Sequence, residues 1–269
     1  MSRVAVCTDA SALVSPAAAS SLGVEVVPVF VALDGEEIDA DELSLDAFYE
    51  RQREGARATT AHPGPAVFAA AYERAAASGA SAVVSVHLDA RASGMVASAE
   101  LAAGGAPVPV TVVDTEAASY GVGVCVRAAA ESAAAGGTAA EVAGAAIRIS
   151  RGLDNAFVVR AGAGGRVPGD GEWSVLRFEG GGSTPLGVAD SIEDAVDAMA
   201  GEVIRLATGR ELCVAVGHAA REVEPAADRL AHEALAAAGV RVVERYRVGA
   251  AVGAHTGPDC FGIFVWPTT

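Results

Sequence analysis

Residues Val4–Asp9 read VAVCTD, a short apolar run that ends in two polar residues. A run of this kind is typical of a strand in a parallel sheet, because such strands are buried on both faces. Similar runs recur at residues 25–33, 82–88 and 108–113, and segments with helix signals separate them. Strand and helix therefore alternate, which predicts an α/β domain with a parallel sheet and helices on both faces.

The pattern of predicted strands and helices changes after Arg151. Residues 173–179 and 183–188 are strand-like and flank three glycines, which predicts an antiparallel hairpin. Further strands are predicted at residues 156–160, 212–217, 240–248 and 261–266. We therefore predict two domains, an N-terminal α/β domain over residues 1–150 and a C-terminal mixed-sheet α/β domain over residues 151–269.

Composition argues against several classes of protein. The chain has 269 residues and a net charge of −15, and all 19 of its basic residues are arginines. So acidic a chain is unsuited to binding nucleic acid, which needs basic surface. No apolar run approaches the length of a membrane span, and the first residues lack the layout of a signal peptide. We therefore expect a cytoplasmic protein whose contact with membranes is at most transient.

Cysteine and glycine patterns point away from metals and nucleotide cofactors. The four cysteines, at positions 7, 125, 213 and 260, lie far apart without metal-ligand spacing, which predicts free thiols. The glycine-rich segment 162–165 resembles a phosphate loop only loosely, because no strongly periodic helix follows it. Arg166, which follows this segment, is a candidate contact for an anion.

Two polar turns and a histidine are the other candidate site residues. Thr59 and Thr60 precede a helix start marked by prolines, and Ser93 and Gly94 stand where a strand passes into a helix. A helix start carries free N–H groups and the positive end of the helix dipole, so anions favour it. We expect both turns to meet at the carboxyl edge of the parallel sheet and to form the floor of a carboxylate site. His255, in a glycine-bracketed loop, can also face that anion.

Alternatives remain open for these residues. The threonines could simply cap a helix. Ser93 could be the nucleophile of a serine hydrolase for small acyl esters, with His255 and Asp114 completing the set, although the glycine that opens the usual nucleophile turn is missing. The chain could also be an interaction module that binds no ligand.

Taken in order, the motifs resemble those of the DegV family of fatty-acid-binding proteins. The matching segments are the opening strand with its Thr8-Asp9 end, residues 23–28, residues 48–50, residues 59–63, the Ala92-Ser93-Gly94 turn, residues 113–119, residues 164–167 and the histidine loop at residues 253–258. Their order and spacing cover nearly the whole chain. Ala61 and His62 stand where the family has a serine and a glutamine.

The resemblance implies a bacterial, two-domain α/β protein that holds a long-chain fatty acid between its domains. The acyl tail would lie in an apolar tunnel, and Thr60 and Ser93 would hold the carboxylate, with His255 at the head-group end or in contact with a partner. Such proteins present the carboxyl group to a separate fatty acid kinase subunit and are carriers rather than catalysts. The resemblance implies no cofactor other than the bound fatty acid.

Overall fold

The computed structural model describes residues 3–38, 43–160 and 171–268. The strands in these ranges are β1 (Val4–Asp9), β2 (Val24–Val27), β3 (Phe30–Leu33), β4 (Glu36–Ile38), β5 (Ala58–Ala61), β6 (Ala82–His87), β7 (Val110–Asp114), β8 (Asp154–Arg160), β9 (Trp173–Glu179), β10 (Gly182–Ala189), β11 (Leu212–His218), β12 (Val240–Arg247) and β13 (Phe261–Pro267). The helices are α1 (Pro16–Leu22), α2 (Leu45–Arg53), α3 (Pro65–Ala77), α4 (Met95–Ala103), α5 (Tyr120–Ala134), α6 (Ala139–Gly152), α7 (Ile192–Ala207), α8 (Glu224–Ala236) and α9 (Ala250–Thr256). None of these helices is both long enough and apolar enough to cross a bilayer.

Contacts within the chain divide it into two compact units. Unit 1 comprises Met1–Phe30, Ala61–Gly152 and Glu179–Gly182, and unit 2 comprises Val31–Thr60, Leu153–Phe178 and Ser183–Thr269. The change of unit after Gly152 lies near the single boundary predicted at residue 150. Unit 2 also takes residues 31–60 from the first half of the chain, because Val31, Leu33 and Phe48 pack into its core.

Unit 1 is built on a four-stranded parallel sheet with the order β2-β1-β6-β7. Cys7 and Val83 pack in a cluster with Phe68 of α3 and Met95 of α4. Val84, the neighbour of Val83 on β6, is fully buried as well. Because successive side chains of a strand point to opposite faces, the second face is also covered, and α5 and α6 pack on it.

Unit 2 contains a six-stranded mixed sheet with the order β10-β9-β8-β13-β11-β12. Strands β11 and β12 are parallel, whereas β13 runs antiparallel to both β11 and β8. Val158 packs in the core cluster of α7 and α8, and its neighbour Val159 packs in a second cluster with α2 and α9. Helices therefore cover both faces of this sheet too. The α/β architecture with one parallel and one mixed sheet agrees with the prediction from the sequence.

Two local predictions are corrected by the structure. Residues 25–33, predicted as one strand, form β2 and β3 in different sheets. Pro28 lies at the break, where its missing N–H ends the ladder of β2. Residues 58–61, predicted as part of a polar loop that leads into a helix, form β5 beside β3. Thr60 therefore lies on a strand rather than at a helix start.

Two helical glycines give a test of the packing in unit 1. A Cβ built on Gly123 of α5 would overlap the carbonyl oxygen of Ala12, whereas a Cβ on Gly144 of α6 would come no closer than 3.6 Å, to Arg148. Gly144→Ala should raise the free energy of unfolding by about 0.5–1 kcal/mol through helix propensity. Gly123→Ala should lower it by about 1–3 kcal/mol, because overpacking outweighs that gain. Urea unfolding of the two variants checks this, and equal shifts would contradict it.

Candidate functional site

The carboxyl edge of the parallel sheet in unit 1 is the natural place for a ligand. Strand β2 lies on one side of β1, and β6 and β7 lie on the other. The connections that leave β1 and β6 therefore diverge, and open α/β sheets bind ligands in the crevice at such a point. The last residues of these two strands are Asp9 and His87.

A chain of buried hydrogen bonds lies directly at this edge. The Asp9 carboxylate accepts from Nδ1 of His87 at 2.8 Å, and Nε2 of His87 lies 2.7 Å from Oγ of Ser85. The Tyr72 hydroxyl donates to Ser85 at 2.9 Å. All four side chains are fully buried. Burial raises the pKa of Tyr72, so its hydroxyl remains a donor.

All of these hydrogen bonds can form together when the His87 imidazole carries a single proton, on Nδ1. The carboxylate can only accept, so Nδ1 donates to it, and Ser85 donates to Nε2 while it accepts from Tyr72. The order Ser85–His87–Asp9 is that of a catalytic triad. No atom of it is exposed to a substrate, so the chain of bonds anchors the ends of β1 and β6 to α3.

The turn between β6 and α4 is held by Asp89. Its fully buried carboxylate accepts from the backbone N–H of Arg91 at 2.8 Å and from the Arg91 guanidinium at 2.9 and 2.8 Å. Its carbonyl oxygen accepts from the N–H groups of Ala92 and Ser93 at 3.0 and 3.2 Å. Burial by itself would raise the pKa of Asp89, but the hydrogen bonds from Arg91 outweigh burial and hold it below its ordinary value. The side chain and the main chain of Asp89 therefore both fix the backbone that leads into Ser93.

Ser93 and Gly94 lie at the start of α4, as the sequence predicts. The Ser93 hydroxyl oxygen is 3.4 Å from the backbone nitrogen of Met95, and the residue is half-buried. Gly94, the residue before the first helical turn, has no side chain to cap the helix. The turn therefore combines a hydroxyl with N–H groups at a helix start, the arrangement that suits an anion.

His62 also belongs to this turn, although the sequence does not predict it as a site residue. A Cβ built on Gly94 would lie 2.6 Å from Nε2 of His62, so the imidazole rests against the glycine. Any other residue at position 94 would have to displace the ring. The sequence hints at the place of His62 through one feature, its position two residues after Thr60.

In unit 2 the structure brings Thr60 and His255 together. Oγ1 of Thr60 lies 2.8 Å from Nε2 of His255. His255 lies on helix α9 and not in the loop predicted around it. Gln52 of α2 holds this helix by donating to the carbonyl oxygen of Gly253 at 3.1 Å, and Tyr49 of α2 donates to that of Val248, two residues before the helix, at 2.7 Å. Only a glycine fits at position 253, where a Cβ would lie 2.5 Å from the Tyr49 hydroxyl.

The structure gives a separate result for each of the remaining predicted site residues. Thr59 is exposed on β5, and Arg166 lies outside the described residues. Thr60 belongs to unit 2 and Ser93 to unit 1, so their convergence stays a prediction. Asp114, the third member of the hydrolase hypothesis, accepts from the backbone N–H groups of Glu116 at 2.9 Å and Ala90 at 3.3 Å, which are turn contacts.

Neither a metal site nor a small cleft in unit 1 competes with this edge of the sheet. The described residues contain no cluster of three or more histidine, cysteine, aspartate or glutamate side chains that could hold a metal ion. A cleft of about 220 Å³ in unit 1 is lined by residues that include Arg3, Glu25 and Arg74. It lies at the amino ends of β1 and β2, away from the edge where parallel sheets bind ligands.

Comparisons with known proteins agree with the motifs and the fold. The model of the DegV family, described as uncharacterised proteins, matches residues 3–168. A DegV domain-containing protein of Streptomyces coelicolor is 35% identical over 281 residues, which cover 98% of this chain and 99% of the relative. One from Mycobacterium bovis is 32% identical over 239 residues, covering 83% and 82% of the two chains.

Solved structures give the same result. One similar structure is that of a DegV family protein from Thermus thermophilus, for which fatty acid binding is described. The TM-score is 0.89 and the identity 32%, over 99% of this chain and 100% of that one. DegV from Bacillus subtilis, a fatty acid binding protein, has the same fold with a TM-score of 0.84 at 23% identity, over 100% of both chains. The chain belongs to the DegV family, which confirms the resemblance drawn from its motifs.

The Asp89 contacts predict a pH dependence. Asp89→Asn should lower the free energy of unfolding at pH 7 by about 1.5–3 kcal/mol, because hydrogen bonds to a charged group are lost. The pKa of Asp89 is lower in the folded state, so its contribution is complete above about pH 4 and is lost as the pH falls through that lowered pKa. The difference between wild type and variant should therefore shrink in acid.

Denaturant unfolding at several pH values measures this difference. Asp190→Asn, at an exposed position outside the turn, controls for the loss of one negative charge. A wild-type advantage over Asp89→Asn that is the same at pH 7 and at pH 3 would contradict the assignment.

Proposed function

We propose that the protein binds a long-chain fatty acid between its two domains and holds the carboxylate with Ser93 and Thr60. In this role it is a cytoplasmic carrier that presents the carboxyl group to a partner kinase and performs no chemistry itself. The fatty acid is its ligand, and no metal or further cofactor takes part.

One observation carries the proposal: the Ser93–Gly94 turn places a hydroxyl and helix N–H groups at the edge where parallel sheets bind ligands. Family membership supports the same ligand. The Thermus thermophilus relative, for which fatty acid binding is described, is 32% identical over almost the whole chain.

The two hydroxyls take complementary roles in this proposal. Ser93 donates to one carboxylate oxygen, while N–H groups of α4 donate to the anion nearby. A threonine hydroxyl has one proton and two acceptor sites. Thr60 can therefore accept from Nε2 of His255, 2.8 Å away, and donate its own proton to the second carboxylate oxygen. The histidine then sets the direction of the threonine proton without touching the ligand.

Three further residues complete the proposed head-group site. Gly94 lets the ligand approach the backbone closely. Arg166 supplies a positive charge, and Thr59 lies at the margin of the site. Ser93 acts here as a hydrogen-bond donor and not as a nucleophile, which separates this proposal from the hydrolase hypothesis.

Burial of the tail supplies most of the binding free energy. Each methylene removed from water contributes about 0.8 kcal/mol, so the roughly 14 methylenes of a C16 acid contribute about 11 kcal/mol before the costs of association. Part of that gain survives these costs, so the ligand should remain bound through purification. The head group adds less free energy but selects a carboxylate over other lipids.

Two hydroxyl deletions test the head-group assignment. Ser93→Ala and Thr60→Val should each weaken binding of palmitate by about tenfold or more, because a hydrogen bond to a charged group is worth about 1.5–3 kcal/mol. Native mass spectrometry of protein from a lipid-replete host shows whether a fatty acid is retained, and titration of the delipidated protein gives the affinities.

The matched controls are Ser20→Ala and Thr111→Val, at exposed positions on α1 and β7. They should bind palmitate as the wild type does. A wild-type protein that carries no fatty acid and does not bind palmitate would contradict the function. Retained affinity in both Ser93→Ala and Thr60→Val would contradict the site.

A further inference from the structure

We propose that Gly181, at the tip of the hairpin between β9 and β10, is a positioning residue for the head-group site. Its contact with Arg91 and Ala92 sets the place of the turn that carries Ser93. The inference rests on the proposed function and extends it to a residue that does not touch the ligand.

The hairpin tip, residues Glu179–Gly182, belongs to unit 1 together with the Ser93 turn. A Cβ built on Gly181 would overlap the Cβ of Arg91, and it would lie 2.9 Å from the Arg91 carbonyl carbon and 3.2 Å from the Ala92 nitrogen. Real Cβ atoms essentially never approach other atoms to less than 3.0 Å. The hairpin tip therefore packs against the backbone of the turn, and not only against the flexible side chain of Arg91.

Asp89 connects this contact to Ser93. Its carboxylate holds Arg91, the residue against which Gly181 packs, and the backbone N–H of Gly181 contributes to the lowered pKa of Asp89. The carbonyl oxygen of Asp89 in turn accepts from the Ser93 N–H at 3.2 Å. A single residue thus links the hairpin tip to Ser93, so a displacement of the tip moves the hydroxyl that is proposed to bind the carboxylate.

The neighbouring glycine provides an internal control. Gly180 and Gly181 both have positive φ, +62° and +78°, so an alanine at either position pays the cost of a left-handed backbone. A Cβ on Gly180 meets no atom within 4 Å, whereas one on Gly181 meets the turn. Comparing the two alanine variants therefore separates the contact with the turn from backbone strain.

The expected effect falls on the head group and not on the tail. Gly181→Ala should weaken binding of palmitate about tenfold relative to Gly180→Ala, the loss expected when one hydrogen bond to a charged group is misplaced. Hexadecanol also has sixteen carbons but carries no charge, so its affinity should be equal in the two variants. The ratio of the two affinities is the readout, because a general loss of stability would lower both.

The experiment titrates the delipidated full-length protein with palmitate and with hexadecanol, for wild type, Gly180→Ala and Gly181→Ala. A preference for palmitate that falls only in Gly181→Ala supports the inference. An equal preference in all three overturns it while leaving the proposed function intact. A wild type that binds neither ligand overturns both.

A second variant keeps the test available if Gly181→Ala does not fold. One extra glycine inserted after Gly180 lengthens the hairpin tip and disrupts its contact with Arg91 without adding a side chain. Its preference for palmitate should fall as in Gly181→Ala, and a wild-type preference would overturn the inference.

Discussion

The hydrogen bond between Asp9 and His87 is the constraint on which unit 1 depends. These two side chains end the central strands β1 and β6, and both are fully buried. A buried carboxylate is costly unless it is fully hydrogen-bonded. Asp9 meets this need with His87 and with the N–H of Ser11 at 3.0 Å. The strand ends are therefore fixed in register, and the turns that leave them start from a rigid edge.

Two further anchors carry this rigidity to groups that can meet a ligand. In unit 1, Asp89 holds the backbone of the turn that ends at Ser93. In unit 2, Gln52 and Tyr49 hold the short helix of His255, which in turn contacts Thr60. Each proposed ligand-binding hydroxyl thus has a buried polar residue behind it. Such support limits the entropy lost when a ligand is bound.

The sequence predicted features that depend on local pattern. Apolar runs and helix signals predict most of the strands and helices, and the three glycines after residue 179 predict the hairpin that β9 and β10 form. The Ser93 turn was found because its residues are adjacent. Thr60 was misplaced because β5 is defined by pairing with β3, about 30 residues away. The contacts of Gly181 with Arg91 and of Gly94 with His62 also join distant segments, and no periodicity within either segment encodes them.

We propose above all that the carboxyl edge of the unit 1 sheet binds the head of a fatty acid. A crystal structure of the delipidated protein with palmitate added back tests this most directly. We expect density for the carboxylate within about 2.5–3.0 Å of Oγ of Ser93, with the hydroxyl of Thr60 at the same head group. An acyl chain bound with its carboxylate away from Ser93 would contradict it.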